Sequence, residues 1–165
     1  MDLFFDSLPL LIALPLVYLG LWLRDRLRRR GRGRTPILID GSNVMHWRDN
    51  TPSLEPVIEI VALLKAAGFR PGVIFDANAG YKLEGRYRDD AVFACRLGLP
   101  AAQVLVVPKG QPADPTLLAV ARDLEARIIS NDRFRDWEAE HPELRLPGRV
   151  IRGGYRNGAL WLDLD

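Results

Sequence analysis

The sequence predicts an α/β domain built on a central parallel sheet, joined to an apolar N-terminal segment long enough to cross a bilayer. Two observations predict the sheet. From residue 36 onward, short apolar runs that read as buried strands alternate with amphipathic helical stripes, and this alternation implies a parallel sheet covered on both faces. The strand-like runs also end in polar or acidic residues, among them Asp40 and Asp76, as strands do when their carboxyl ends open onto a site. A third observation predicts the anchor: residues 1–23 carry only Asp2 and Asp6 as charges, and an arginine-rich stretch follows them.

Leu3 to Leu23 is a run of 21 residues with one charge, Asp6. At helical rise it spans roughly 30 Å, the hydrocarbon thickness of a bilayer. A cleaved signal peptide would need a basic start and a small-residue cleavage site, whereas here the start is acidic and the run ends Leu-Trp-Leu. The reading is an uncleaved transmembrane anchor over 1–23 and a basic juxtamembrane linker over 24–34, with seven Arg against Asp25. The positive-inside rule places the Arg24–Arg34 collar in the cytoplasm and Met1 outside, which makes the chain a single-pass protein of the cell (inner) membrane.

The domain proper is read as 35–165. PILID (36–40) is the first strand; a stripe of Val57, Ile60, Val61 and Leu64 marks a helix over 54–67, stopped by Gly68. PGVIFD (71–76) is the second strand, and 86–96 reads as a helix with Cys95 on its inner face. QVLVVP (103–108) is the third strand. Asp114-Pro115 opens a helix in which Leu117, Ala121 and Leu124 share a face. RIIS (127–130) is the fourth strand, followed by a short helix over 131–140. GRVIR (148–152) and ALWLDL (159–164) flank a Tyr-Arg-Asn-Gly hairpin turn.

Charge and cysteine content narrow the function classes. The formal net charge is +2, but the collar alone carries +6 and residues 35–165 carry −2. A uniformly basic nucleic-acid coat is therefore excluded for the domain, while a local basic groove is not. Cys95 is the single cysteine, which excludes an intramolecular disulfide and a thiolate zinc finger and fits a reducing compartment.

The chemistry lies in the acids. Asp40 ends the first strand, Asp76 the second; Asp114 follows the third and Asp132 the fourth, with Asp136 one helical turn later. In a parallel sheet all face one edge. Asp114 and Asp132 read equally well as helix caps. Asp40, closing a buried strand, needs a partner or a cation. Several carboxylates at one edge repel one another unless a cation neutralises them, and oxygen ligands without His or Cys suit Mg²⁺ or Mn²⁺. The chain lacks GxGxxG after its first strand, a Walker loop and a nucleophile elbow. A receiver-like phosphoacceptor domain would want paired acids where Gly41 and Ser42 stand. His46 and His141 read as surface residues. No role is assigned to Asp76.

ILIDGSNV (37–44) together with ADPTLLAVARDLEARIISNDRFRDW (113–137) resembles the NYN/PIN-like ribonuclease domain of the Regnase-type family, without its zinc finger. The resemblance implies a PIN-like three-layer α/β/α fold and a Mg²⁺-dependent (or Mn²⁺-dependent) endoribonuclease. It implies metal binding by Asp40, Asp114, Asp132 and Asp136, with Asn43 completing a catalytic set of Asp40, Asn43, Asp114 and Asp132. The expected substrate is single-stranded RNA; Lys109, Arg133 and Arg135 stand beside the acids and read equally well as grips on its backbone or as solvated surface charges. Where relatives often have two adjacent acids, this chain has Ala113-Asp114. That departure supports the alternative, a catalytically weak or inactive membrane-tethered RNA-binding or protein-docking module. A homodimer is compatible with the sequence, which does not decide it.

Overall fold

A computed structural model describes residues 34–164. The apolar segment 3–23 and collar residues 24–33 lie outside the described residues. Among the described residues no helix is long and apolar enough to cross a membrane.

Strand β1 (Pro36–Asp40) is central because both of its faces are apolar. Ile37 and Ile39 enter one core and Leu38 the other, all buried, as a two-residue repeat requires. A one-turn helix, α1 (Gly41–Val44), follows directly, and α2 (Glu55–Ala66) returns the chain to β2 (Arg70–Phe75). The short α3 (Ala79–Glu84) and α4 (Asp90–Leu97) lead to β3 (Val104–Val106). Helix α5 (Ala113–Asp123) crosses to β4 (Arg127–Ile129), and β5 (Val150–Ile151) completes the main sheet.

The strand order is β3-β2-β1-β4-β5, all parallel. Val57, Ile60 and Leu64 of α2 pack with Phe93 and Leu97 of α4 on the Ile37/Ile39 face. Leu117, Leu118 and Ala121 of α5 cover the Leu38/Ile74/Ile128 face. The result is the expected α/β fold with a central parallel sheet. The chain leaves β1 on one side for β2 and β3 and later fills the other side with β4 and β5. The strand order therefore reverses between β1 and β4, and the crevice at their carboxyl ends is the place such sheets use for ligands.

Several expected details differ. The helix over 131–140 is only a 3₁₀ turn, Arg135–Trp137. Phe134 takes a left-handed φ of 49° and buries its ring in the α5-side core, so the chain cannot continue helically through it. The hairpin is real, but its arms are β6 (Gly153–Arg156) and β7 (Ala159–Leu162); Val150 and Ile151 pair with β4 instead. Asn157 and Gly158, at φ 52° and 78°, form its turn. Cys95 is exposed, because the buried face of α4 is Phe93, Ala94 and Leu97. Leu124 lies past the end of α5 and is exposed. His141 is buried, not on the surface, with Nδ1 3.1 Å from Glu143 Oε1.

Candidate active site

Asp40 stands where β1 becomes α1, and both of its carboxylate oxygens are engaged. Oδ1 accepts the Asn43 backbone N–H at 3.1 Å, capping α1, and Oδ2 accepts the Ser130 hydroxyl at 2.8 Å. Helix α1 can start this abruptly because residue 41 is glycine: a side chain there would run into the Phe75 ring. Ser130, fully buried at the end of β4, also accepts the Asp132 N–H at 3.0 Å. One hydroxyl thus ties Asp40 on β1 to the Asp132 loop after β4, across the crevice.

The other side of the site is built from Asp76. Its backbone N–H donates to Ser42 Oγ at 2.7 Å, and its Oδ1 accepts the Ala113 N–H at 3.2 Å. Asp76 therefore holds the first turn of α5, and with it Asp114, against the end of β2. Pro112 at the helix start offers no side-chain cap, so Asp114 is not the cap that its place before Pro115 suggests. Asp132 has a local task of its own, accepting the Phe134 N–H at 2.7 Å, but in a turn and not at a helix start.

Burial and crowding set the electrostatics. Burial first pushes the Asp40 carboxyl up, to about 6; Asp114 and Asp76 push in the same direction, while the Ser130 and Asn43 hydrogen bonds oppose them. Asp114, half-buried, is also raised, by burial and then by the charges of Asp132 and Asp76, against a hydrogen bond from Trp137. Among the described residues none of these four acids forms an ion pair with Lys or Arg. Concentrated negative charge left without a cation attracts one, and hard oxygen donors favour a small divalent ion that keeps some of its water.

Among the described residues no three His, Cys, Asp or Glu side chains stand close enough to cage a metal ion directly. Asp40, Asp114 and Asp132 share a field together with Asp76. Asp136 is exposed on the 3₁₀ turn and is not among the charges acting on Asp40 or Asp114.

Asn43 serves as a joint. Its Oδ1 accepts both the Trp47 indole N–H at 2.8 Å and the Asn131 N–H at 3.0 Å, fixing α1 to the loop after β4. Lys109, Arg133 and Arg135 are exposed on the loops after β3 and β4. Arg152 was missed by sequence reasoning. It donates to the backbone carbonyls of Ser130 at 3.2 Å and Asp132 at 2.7 Å and so braces the acidic loop from β5. Burial and then the neighbouring Arg133 lower its pKa, and Asp132 opposes them. Nothing in GRVIR marks that role. Ser130 stands within the 113–137 run that carries the family resemblance, yet its bridging hydroxyl is visible only in three dimensions.

The sequence profile of the Zc3h12a-like Ribonuclease NYN domain matches residues 33–155. No curated protein matches the chain. Among solved structures, the crystal structure of nuclear proteinaceous RNase P 2 (PRORP2) from Arabidopsis thaliana is similar, with a TM-score of 0.60 and 18% identity over 86% of this chain and 31% of that one. A second structure of the same plant's nuclear protein-only RNase P 2 gives a TM-score of 0.58 and 20% identity, covering 96% of this chain and 35% of that one. The chain spans about a third of the length of those proteins, and at these identities the likeness concerns the fold.

Proposed function

We infer the function from one premise: the chain belongs to the Zc3h12a-like Ribonuclease NYN domain family. It is a divalent-metal-dependent endoribonuclease that hydrolyses phosphodiester bonds of single-stranded RNA at the crevice between β1 and β4. The observation that carries this reading is the buried Asp40 carboxylate, in the field of Asp76 and Asp114, with Asp132 acting in turn on Asp114 and no cationic side chain paired to any of them among the described residues. A fold that accumulates such charge gains nothing in stability from it.

The donor set suits Mg²⁺ or Mn²⁺, which need only one or two carboxylates when waters and a substrate phosphate complete the shell. Asp40, Asp114 and Asp132 would hold the ion, which when bound offsets phosphate charge and acidifies water. Asp136 would reach it only through water or after the loop adjusts. Ser130 keeps Asp40 and Asp132 in register, and Asp76 sets the position of Asp114. Asn43 holds α1 against the Asn131 loop, and its amide nitrogen remains to donate to a phosphate oxygen. Lys109, Arg133 and Arg135 grip the RNA backbone beside the acids. With few such contacts on an acidic domain, the salt dependence of binding is shallow.

Residues 3–23, with the Arg24–Arg34 collar on an anionic leaflet, anchor the nuclease at the cytoplasmic face of the cell membrane; the apolar run and the arginines after it support this. Purified full chain in detergent, incubated with end-labelled single-stranded RNA or DNA and either Mg²⁺ or EDTA, tests the activity. Cleavage of RNA that needs Mg²⁺ and disappears in Asp40→Asn is expected. Failure of the wild type to cleave would leave the non-catalytic module as the reading, and cleavage that survives Asp40→Asn would show that the chemistry does not depend on Asp40.

A further inference from the structure

Beyond the acidic crevice, the end of α1 and the β6–β7 hairpin enclose a second cavity of about 540 Å³, within the range of small-molecule pockets. It is lined by Trp47, Arg48, Asp49, Tyr155, Asn157 and Gly158. We propose that this cavity is a base-binding subsite that takes one unpaired nucleobase of the RNA, guanine in preference to the others, beside the scissile position. The inference rests on the nuclease reading above and adds to it a place where the strand is held and read.

The walls are flat and fixed. The Arg48 guanidinium lies over the Tyr155 ring at 4.5 Å from its centre, held there by Glu55 at 2.8 Å and Glu59 at 2.9 Å. Tyr155 is locked in turn, its hydroxyl donating to Glu59 at 2.7 Å. Base rings stack well on aromatic faces and on guanidinium planes, and since Arg48 and Tyr155 cover each other's facing sides, the base takes an outer face of the pair. Two carboxylates already compensate Arg48, and Asp49 stands at the rim, so the cavity repels phosphate and suits a neutral planar group.

The rim supplies the preference. Asp49 and Asn157 are both held at left-handed φ, 55° and 52°, a conformation that Asp and Asn tolerate better than most side chains. Among the described residues neither side chain makes a hydrogen bond or an ion pair. A carboxylate only accepts, and guanine is the base whose pairing edge offers two adjacent N–H donors to its two oxygens. Uracil offers one. The cavity also connects to the acids: Trp47, one of its walls, donates to Asn43, whose own N–H caps onto Asp40. Six residues of turn and helix lie between Asp40 and Trp47, seven steps and on the order of 10 Å at helical rise, a short reach along an RNA strand.

The test uses full chain in EDTA, so that no cleavage occurs, with two dye-labelled strands: nonauridylate, and the same strand with one central guanine. Wild type is expected to bind the guanine strand at least about fivefold more tightly, the low end for one bidentate base contact. In Asp49→Asn, which keeps the left-handed turn, the ratio of the two affinities is expected to fall to about one. A merely structural role for Asp49 would weaken both strands together and keep the ratio. Equal binding of both strands by wild type, or a ratio untouched by Asp49→Asn, overturns the subsite. A strand with central adenine that binds as tightly as the guanine strand overturns the assignment to guanine. Cleavage in Mg²⁺ is scored separately: a guanine preference without cleavage defeats the nuclease reading and keeps the subsite, and cleavage without preference does the reverse.

Discussion

Two partly or fully buried carboxylates in different parts of the fold have been treated in opposite ways. Glu143, in the 3₁₀ turn Pro142–Arg145, receives both arms of Arg122 at 2.8 and 3.1 Å and a contact from the His141 ring. These bonds hold it well below the usual carboxylate range, at about 2. Asp40 is pushed up to about 6, by burial first and then by the charges of Asp114 and Asp76. The fold neutralises the first charge with its own side chains and leaves the second for something that arrives from solvent. Where a protein retains an uncompensated buried charge, the reason is sought in function, because stability supplies none.

The sharpest way to break that comparison is Asp40→Asn, for which activity and stability should move in opposite directions. Loss of the carboxylate is expected to lower RNA cleavage at least about a hundredfold, the scale of removing one main electrostatic contact to a reacting group. Without metal, the variant should be the more stable protein at pH 7. A group whose folded pKa lies above its unfolded value contributes stability that is fully present below about pH 3.8 and is lost as pH rises through about 6. The variant has no such loss, and Asn caps α1 as well as Asp does. Its advantage should reach at most about 3 kcal/mol at pH 7 and vanish below pH 4. Urea melts in EDTA at pH 4 and pH 7 measure it; a variant less stable at pH 7 would show that Asp40 is structural.

Metal linkage sharpens the same contrast. Mg²⁺ that binds only the folded state stabilises it by mass action, about 2.7 kcal/mol at a hundred times its dissociation constant. Wild type should therefore melt higher in millimolar Mg²⁺ than in EDTA, and Asp40→Asn should show little or none of that rise. An equal rise in both proteins would place the ion elsewhere.

Ser130→Ala comes next in size. It removes a donor from Asp40 and the acceptor of the Asp132 N–H in one step, which for buried groups costs about 1–3 kcal/mol. Because the Ser130 bond opposes the upward push on Asp40, its loss should raise that carboxyl further. The acid limb of the cleavage pH profile should move to higher pH, with activity down roughly 10–100-fold, as for residues that orient a metal ligand. An unmoved acid limb would mean that Ser130 only packs.

How much of this was legible in the sequence depended on whether a residue's partner is local. PILID shows its central place because apolar residues occupy both alternate positions, and the α2 stripe shows its buried face in the same way. The Asn157-Gly158 turn needs only its own two residues. Helix α3 was missed because AGYKLE buries only Ala79 and Gly80 and so displays no stripe. Asp40, Asp114 and Asp132 stood out as strand-end acids, but Asp76 became informative only once its oxygen was seen holding Ala113, 37 residues away. Ser130 and Arg152 act through bonds spanning 90 and about 20 residues, which no local pattern encodes. His141 was misread although its partner Glu143 is only two residues away, because nothing in the surrounding sequence shows that its ring is buried.

The smallest expected effect belongs to the compensated carboxylate. Glu143→Gln keeps the shape and one acceptor oxygen but gives up the charge that Arg122 and His141 surround. Here the folded pKa is depressed, so its contribution to stability is present above the unfolded value of about 4.5 and is lost as pH falls through about 2. The variant should be destabilised at pH 7 by no more than about 1 kcal/mol, since the clasp is partly exposed and screened by salt. The difference from wild type should shrink steadily as pH is lowered from 4.5 and should close at about pH 2, opposite in sign to the Asp40→Asn difference. RNA cleavage at pH 7 should be that of wild type, because neither Glu143 nor Arg122 belongs to the crevice. Paired urea melts at pH 7 and pH 3, with cleavage measured on the same preparations, decide the matter. A Glu143→Gln protein that melts like wild type but cleaves poorly would erase the distinction between the two carboxylates and move the working charge to the Arg122–Glu143 clasp.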